Sequence, residues 1–265
     1  MSGVEKRTIW KFTPGNKTAE AVEDAVAVEQ AFTVIVNGEE TGTIVCTPSH
    51  IEELAAGFMA GEGIIRKYSD ITQLEVDHST GFVYVKLQEG MKVDKDQMSK
   101  RFIGSCCGKG RQFYFKSDMM TSKTAIKGAS FSIENCLKRM EELQNASSVF
   151  HATGGVHNAG IADSDRLIVI RSDIGRHNAL DKLYGNWLMN PYSLRDKMIV
   201  FSGRLSSEVI FKASKMGVGL IVSKSAPTNL ALEAADELGI TAVGFVRNNM
   251  CNVYTHPDRI REFIG

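Results

Sequence analysis

From about residue 150 onward the chain alternates short apolar runs with helix-length amphipathic stretches. This rhythm limits the possible folds more than any other feature. The runs at 166–171, 197–201, 218–223 and 240–246 are strand-length and rich in Val, Ile and Leu. Between them, 176–189, 206–216 and 227–238 carry helical spacing. Leu180, Leu183, Tyr184 and Trp187 share the inward face of the first of these, and Pro227 opens the last. A further helix is expected to open through the Gly-Gly turn within 151–161. Apolar strands separated by helices predict a three-layer α/β fold, a mostly parallel sheet with helices on its faces.

The first 100 residues read differently. Residues 1–30 are a polar lead-in, with an edge strand expected near 8–12. Residues 31–36 form a β-branched and aromatic run that ends at Asn37-Gly38, a strong hairpin signal, and 43–47 supply the returning strand. Pro48-Ser49 looks like a helix entry. Glu52, three residues after Ser49, completes a capping box, and Ile51, Leu54, Ala55 and Phe58 fall at helical spacing. Gly61 and Gly63 end that helix. Residues 71–77 and 81–87 alternate like paired strands, with His78 in the solvated turn between them. Residues 132–144 are amphipathic, with Ile133, Leu137, Met140 and Leu143 on one face. The division expected is a smaller α+β part over 1–100 and an α/β domain over 101–265.

The chain has 265 residues, 31 basic and 31 acidic, so no global field favours nucleic acid or a membrane surface. An anion site must therefore be built locally. A hydrophobic share of 43% fits an ordinary globular core. No apolar run is long enough to span a bilayer, and the amino terminus lacks an apolar signal segment. Five cysteines, an odd number that includes an adjacent pair, do not look like a secreted disulfide framework. A reducing, cytoplasmic location is the expectation.

The adjacent pair carries the chemistry. Residues 102–115 read Phe-Ile-Gly-Ser-Cys-Cys-Gly-Lys-Gly-Arg-Gln-Phe-Tyr-Phe. Gly104, Gly108 and Gly110 surround Cys106 and Cys107, and Lys109 and Arg111 follow. Such a segment is a loop with a permissive backbone. Nearby cations lower a cysteine pKa and so favour the nucleophilic thiolate. Neighbouring Cα atoms lie about 3.8 Å apart, too close for an unstrained disulfide. A structural zinc site would need paired ligands, and Cys46, Cys136 and Cys251 are scattered singly. Those three read as small buried hydrophobes. No resident metal is expected.

Open α/β sheets bind ligands outside the carboxyl ends of their strands. The residues that follow each strand here are donor-rich: Arg171-Ser-Asp-Ile-Gly-Arg-His-Asn, Ser202-Gly-Arg-Leu-Ser-Ser, Ser223-Lys-Ser-Ala-Pro-Thr and Arg247-Asn-Asn. Three of them feed a helix amino terminus, where free N–H groups and the helix dipole suit phosphate. Arg171, Arg176, Arg204, Lys224 and Arg247 are expected to converge on one rim. Neither a G-x-x-x-x-G-K-S/T loop nor a G-x-G-x-x-G fingerprint is present. His157 and His177 are candidate acid/base or ligand groups, with a structural role equally open. His256 reads as structural. Asp173 could orient Arg176 or meet a guanine edge, although helix capping needs fewer assumptions.

These loops carry a resemblance. Thr153-Gly-Gly-Val-His-Asn-Ala-Gly160, Asp173-Ile-Gly-Arg-His-Asn-Ala-Leu-Asp-Lys-Leu183, Phe201-Ser-Gly-Arg-Leu-Ser-Ser-Glu208, Ser225-Ala-Pro-Thr228 and Gly244-Phe-Val-Arg247 through Val253-Tyr-Thr-His-Pro257 closely resemble the FdhD/NarQ family of formate dehydrogenase accessory proteins. Gly57-Phe-Met-Ala-Gly-Glu-Gly-Ile-Ile65 and the cysteine loop match as well. The likeness covers about residues 30–260. It implies a fold similar to the cytidine deaminase-like α/β fold, without that fold's zinc pattern. It also implies a sulfurtransferase role. A cysteine desulfurase would pass sulfur to a cysteine of this chain as a persulfide. The sulfur would then go to the bis-molybdopterin guanine dinucleotide cofactor (Mo-bisMGD), before that cofactor enters formate dehydrogenase. The family's cofactor contact carries over to Phe245, Val246, Arg247, Asn248, Asn249 and Met250. To this the rim adds Arg204, Arg176 and His177.

Many family members carry Cys-Gly-x-Cys-Gly, whereas this chain has Gly104-Ser-Cys-Cys-Gly108. An ungapped alignment keeps Cys107 and puts the first family cysteine on Gly104. A small shift puts it on Cys106. Either thiol remains open as the carrier, with Cys107 favoured. The resemblance suggests a homodimer. A cofactor-binding chaperone with incidental cysteines is the alternative function, and a zinc hydrolase of the deaminase type is a third.

Overall fold

The computed structural model describes residues 3–13, 18–91, 102–103 and 130–264. Two sheets and the helices between them make its body. The first sheet has five strands in the order β5-β6-β3-β4-β7. Its members are β3 (Gln30–Val36), β4 (Glu39–Cys46), β5 (Ile71–Asp77), β6 (Phe82–Leu87) and β7 (Phe102–Ile103). Asn37 and Gly38 join β3 to β4 with φ values of 52° and 84°, the left-handed pair that a tight hairpin demands. Phe32, Val34, Val36, Val83 and Val85 alternate onto one buried face. Helix α1 (Ile51–Gly61) lies against that face in the same apolar cluster.

The second sheet has six strands in the order β13-β12-β11-β10-β8-β9. These are β8 (His157–Ala162), β9 (Leu167–Asp173), β10 (Met198–Phe201), β11 (Leu220–Ser223), β12 (Thr241–Arg247) and β13 (Met250–Val253). Helix α2 (Ile133–Asn145) covers one face. There Met140 and Leu143 meet Met198, Val200, Leu220, Val222 and Val243. Helices α4 (Arg176–Met189), α5 (Ser207–Met216) and α6 (Asn229–Glu237) cover the other, where Leu180, Val209 and Ala235 meet Ile199, Phe201, Ile221 and Ala242. The period-two swap of Met198 and Val200 against Ile199 and Phe201 fills both cores from one strand.

Several sequence expectations need correction. The sheet is mixed rather than mostly parallel. The pairs β10–β11 and β11–β12 run parallel, but β8–β9, β8–β10 and β12–β13 run antiparallel. The apolar strand β8 reads like a helix in sequence because of its Ala and Gly content, so its reversed direction was invisible. Residues 151–161 accordingly hold no new helix. Short helix α3 (Ser148–Thr153) stops at Gly154, whose φ of 64° terminates it, and β8 follows. The lead-in is a two-stranded ribbon of β1 (Val4–Lys11) and β2 (Glu20–Ala27). The Ser49 capping box does not form: the N-cap of α1 is His50, with φ 54° and no side-chain cap bond. Pro227 lies two residues before α6, and Thr228 caps that helix by accepting the Ala231 N–H. On α2 the buried set is Cys136, Arg139, Met140 and Leu143, with Ile133 and Leu137 only partly buried.

The two sheets are joined where α1 crosses α4. A Cβ at Gly57 would lie 1.8 Å from the Asp181 carbonyl oxygen, and one at Gly185 would lie 1.8 Å from the Glu53 carbonyl oxygen. The two backbones therefore touch, and only glycine permits it. Gly57→Ala and Gly185→Ala are each expected to destabilise the protein by about 3 kcal/mol or more, the upper range for overpacking, because the obstacle is backbone. Chemical denaturation checks this, and a loss within about 0.5 kcal/mol, the range of an innocuous surface change, would refute the crossing.

Candidate site at the carboxyl ends of the six-stranded sheet

Strand directions decide where the polar loops go. Because β9 is antiparallel to β8, and β8 to β10, β9 points the same way as β10, β11 and β12. The four donor-rich loops thus gather at one end of the sheet, as the sequence predicts. His157, the first residue of β8, stands at that same end.

One buried ion pair fixes this end to the first sheet. Asp173 and Lys182 are both 0% exposed, with Nζ and Oδ2 2.6 Å apart. Asp173 Oδ2 also accepts the Thr47 N–H at 3.1 Å, and Oδ1 accepts the Gly175 N–H at 2.8 Å and the Asn178 amide at 3.0 Å. Lys182 donates to the Thr47 carbonyl at 2.9 Å. Asn178 Nδ2 also reaches the Val45 carbonyl, at 2.8 Å. Burial pushes the Asp173 carboxyl above its usual range, and Lys182 and the surrounding donors pull it back. Asp173 is thus walled off from any guanine edge. It satisfies the first N–H of the α4 entry but works mainly as the anion of a structural pair, a partnership with Lys182 that the sequence reading missed.

The first sheet's last strand ends near the same contacts. Strand β7 runs parallel to β4, with Phe102 opposite Thr43 and Ile103 opposite Ile44. The end of β4 leads directly to Thr47 and so to Asp173. The chain therefore leaves Ile103 heading toward the carboxyl-end rim. Cys106 and Cys107 themselves lie outside the described residues. The other thiols fit the inert reading: burial pushes Cys46 and Cys136 up to about 12, and Cys251, half-buried, is raised as well.

The predicted rim cations divide. Arg171 is taken by Glu53 in a bidentate pair at the start of α1, and Asn186 donates to the same carboxylate at 2.9 Å. It is a strut rather than a rim residue, and Glu53 was not anticipated. Lys224 donates to Gln144 of α2 at 2.5 Å. Arg176 opens α4, and Arg204 is exposed on the β10–α5 loop. His177 Nε2 lies 3.1 Å from Glu208 Oε2, which ties the first turns of α4 and α5 together. His157 Nδ1 is 3.5 Å from Ser202 Oγ, which also accepts the Asn158 N–H at 2.9 Å. His256 bridges to the Asp236 carbonyl at 2.8 Å, the structural role expected. His78 is half-buried, edge-on to the Phe32 ring, and less solvated than its turn suggested.

The expected cofactor-contact stretch is the β12–β13 turn. Phe245, Asn248 and Asn249 all hold positive φ, at 54°, 52° and 58°. The Arg247 guanidinium stacks 5.3 Å above the Phe245 ring. Val246 is buried, while Arg247, Asn248, Asn249 and Met250 are exposed. Between this turn and α2 runs a groove of about 940 Å³, lined by Glu134, Lys138, Glu141, Gln144, Arg247 and Asn249 among others. The contribution of α2 to this groove was not visible in the sequence, because its exposed polar face looks like ordinary solvated helix. Among the described residues no three His, Cys, Asp or Glu side chains form a metal-ligand set, and no helix is long and apolar enough to cross a membrane.

His157 supplies a pH test. Burial, then the neighbouring Arg176 charge, lower its pKa below the ordinary 6.5, against a smaller opposing pull from Asp173. The unfolded chain therefore binds this proton more readily. The stabilising contribution is intact above about pH 6.5 and is lost as pH falls below it. Between about pH 7.5 and 5.5, wild type is expected to lose more unfolding free energy than His157→Gln. Equal losses in the two proteins would show that the imidazole is not buried in this way.

Comparison with known proteins agrees with this geometry. A sequence profile described as the FdhD/NarQ family matches residues 27–261. The sulfur carrier protein FdhD of Bacillus subtilis (strain 168) is 55% identical over 256 residues, covering 97% of both chains. The protein of the same name from Geobacillus kaustophilus (strain HTA426) is 55% identical over 262 residues, covering 98% of this chain and 99% of that one. A crystal structure assigned as a formate dehydrogenase accessory protein from Desulfotalea psychrophila superposes with a TM-score of 0.79 at 25% identity, covering 98% of this chain and all of that one. With most of its length matched and more than half its residues shared with such relatives, this chain belongs to the FdhD/NarQ family.

Proposed function

We propose that the chain is a sulfur carrier in the maturation of formate dehydrogenase. Its relatives bear that name, and the observation in this structure that carries the reading is the exit of β7. The strand that leads into Cys106 and Cys107 runs beside β4 toward the rim held by Asp173. At roughly 3.5 Å per extended residue, Cys106 lies within about 11 Å of chain from Ile103 and Cys107 within about 14 Å. The thiols are thus tethered close to the end of the sheet where the donor-rich loops gather.

In this proposal a thiolate of the loop, Cys107 or Cys106, attacks the outer sulfur of a persulfide on a cysteine desulfurase. The donor's sulfur–sulfur bond breaks as the new one forms, and the donor leaves as a thiolate. Lys109 and Arg111 favour the attacking thiolate. The persulfide then meets its acceptor, Mo-bisMGD, over the rim, with Phe245, Val246, Arg247, Asn248, Asn249 and Met250 on one side and Arg204, Arg176 and His177 on the other. The proposal extends to the cytoplasm as location, on the odd cysteine count with its adjacent pair, and to a homodimer as assembly, on the family resemblance.

The alternative is a chaperone that holds Mo-bisMGD without carrying sulfur. Labelled sulfur separates the two. Incubation with a desulfurase and labelled cysteine is expected to add one sulfur-sized mass increment to wild type. The increment should vanish in the Cys106→Ala/Cys107→Ala double variant, with formate dehydrogenase maturation lost alongside it. Normal maturation in the double variant would favour the chaperone and end the carrier reading. The single variants assign the carrying thiol.

A further inference from the structure

We infer that the β1–β2 ribbon is the arm through which two copies of this chain associate, with Trp10 and Phe12 as its anchors. The inference rests on the homodimer proposed above and deepens it by naming the surface.

Strands β1 and β2 pair antiparallel along their full length, from Val4 opposite Ala27 to Lys11 opposite Glu20. Eight residues at about 3.4 Å each make an arm of about 27 Å. The pair forms a sheet of its own, joined to neither of the larger two. The body of the protein holds it at the base. There the Val28 N–H donates to the Gly3 carbonyl at 3.0 Å. An added Cβ at Gly3 would sit 2.8 Å from the Thr47 methyl, and one at Gly155 would sit 3.1 Å from Ala27 Cβ. Helix α3 is the neighbouring element. Farther out, residues 5–8, 10–13, 18–21 and 23–24 are exposed. A two-stranded ribbon alone is marginally stable in water, and its open edges and faces invite a partner. The pairs Lys6–Glu23 at 3.5 Å and Arg7–Glu5 at 3.0 Å are solvent-exposed and contribute little.

The relief and charge of the ribbon complement a second copy of itself. Trp10 is 76% exposed, and Phe12, just beyond β1, is 66% exposed. On the Trp10 face, β2 presents Ala21, Ala25 and Ala27 opposite Trp10, Lys6 and Val4. Laying β1 of one arm over β2 of another sets each indole against small side chains. The charges favour the same overlay. Strand β1 carries Lys6, Arg7 and Lys11 against the single acid Glu5. Strand β2 carries Glu20, Glu23 and Asp24 and no base. The overlay therefore brings basic strand to acidic strand, and two-fold symmetry repeats the match. Symmetry also doubles the apolar gain. Two aromatics at about 200 Å² on each of two copies bury about 800 Å², half of a standard interface of about 1,600 Å².

The test is sedimentation of the full chain over a concentration series, read together with tryptophan emission. Wild type is expected to form a dimer. Trp10→Asp should weaken it by about thirtyfold or more, the loss of an interface hot spot. Phe12→Asp, outside the paired strand, is a second variant should Trp10→Asp not fold. Tyr84→Asp puts the same charge on an exposed aromatic of the first sheet and should leave the dimer intact. The chain has two tryptophans, so Trp187→Phe leaves Trp10 as the reporter. Its emission should shift to the blue as the dimer forms. A dimer that survives Trp10→Asp or Phe12→Asp overturns the arm and leaves the homodimer reading standing. Loss of the dimer in Tyr84→Asp with the arm variants intact does the same. A wild-type monomer at every concentration overturns both.

Discussion

The buried Asp173–Lys182 pair is the contact on which the arrangement depends. It lies at the meeting point of β9, α4 and the end of β4, and it ties backbone groups of Thr47 to the entry of α4. An ion pair out of water contributes little by itself, but removing one partner leaves an uncompensated buried charge at a cost of about 3–5 kcal/mol. Its value here is positional. With Thr47 held by Asp173, the end of the first sheet meets the carboxyl end of the second, and β7 runs beside β4 toward that junction. The glycine crossing of α1 and α4 joins the two halves a second time, backbone against backbone.

Much of this was legible in the chain. The helix at 176–189 was read to the residue, and the strands β10, β11 and β12 to within about two residues, because apolar runs and helical spacing report burial directly. The clustering of the four loops at one end also held, though for a reason the sequence hid. It follows from β9 sharing the direction of β10 across the antiparallel β8, not from an all-parallel sheet. Strand direction is a tertiary property, and the Ala- and Gly-rich β8 carries no local signal for it. Lys182 and Glu53 escaped for a similar reason: a charged residue on a helix looks solvated until its partner, more than a hundred residues away for Glu53, is brought beside it.

A chain with balanced charge has to make its own local field. The structure does so by engaging some cations at this end in packing contacts and sparing others. Arg171, Lys182 and Lys224 are committed to Glu53, Asp173 and Gln144, whereas Arg204 and Arg247 are left exposed. The cations spent on packing hold the loops in place, and those left over give the rim its positive character. The β12–β13 turn, with its left-handed asparagines and stacked Arg247, and the groove beside α2 form one side of that rim. The first turns of α4 and α5, held together by His177 and Glu208, form the other.

The central claim is that the sulfur-carrying thiols work at this end of the sheet. Cross-linking tests it most directly. A short thiol-reactive photoprobe attached through Cys106 and Cys107 in a Cys251→Ser background, with Cys46 and Cys136 protected by burial, is activated and its attachment points are mapped by mass spectrometry. The account predicts labelling of the loops around Ser202–Ser206 and Phe245–Met250. Labelling confined to the opposite end of the sheet, around Asp163–Arg166 and Leu194–Lys197, would contradict it.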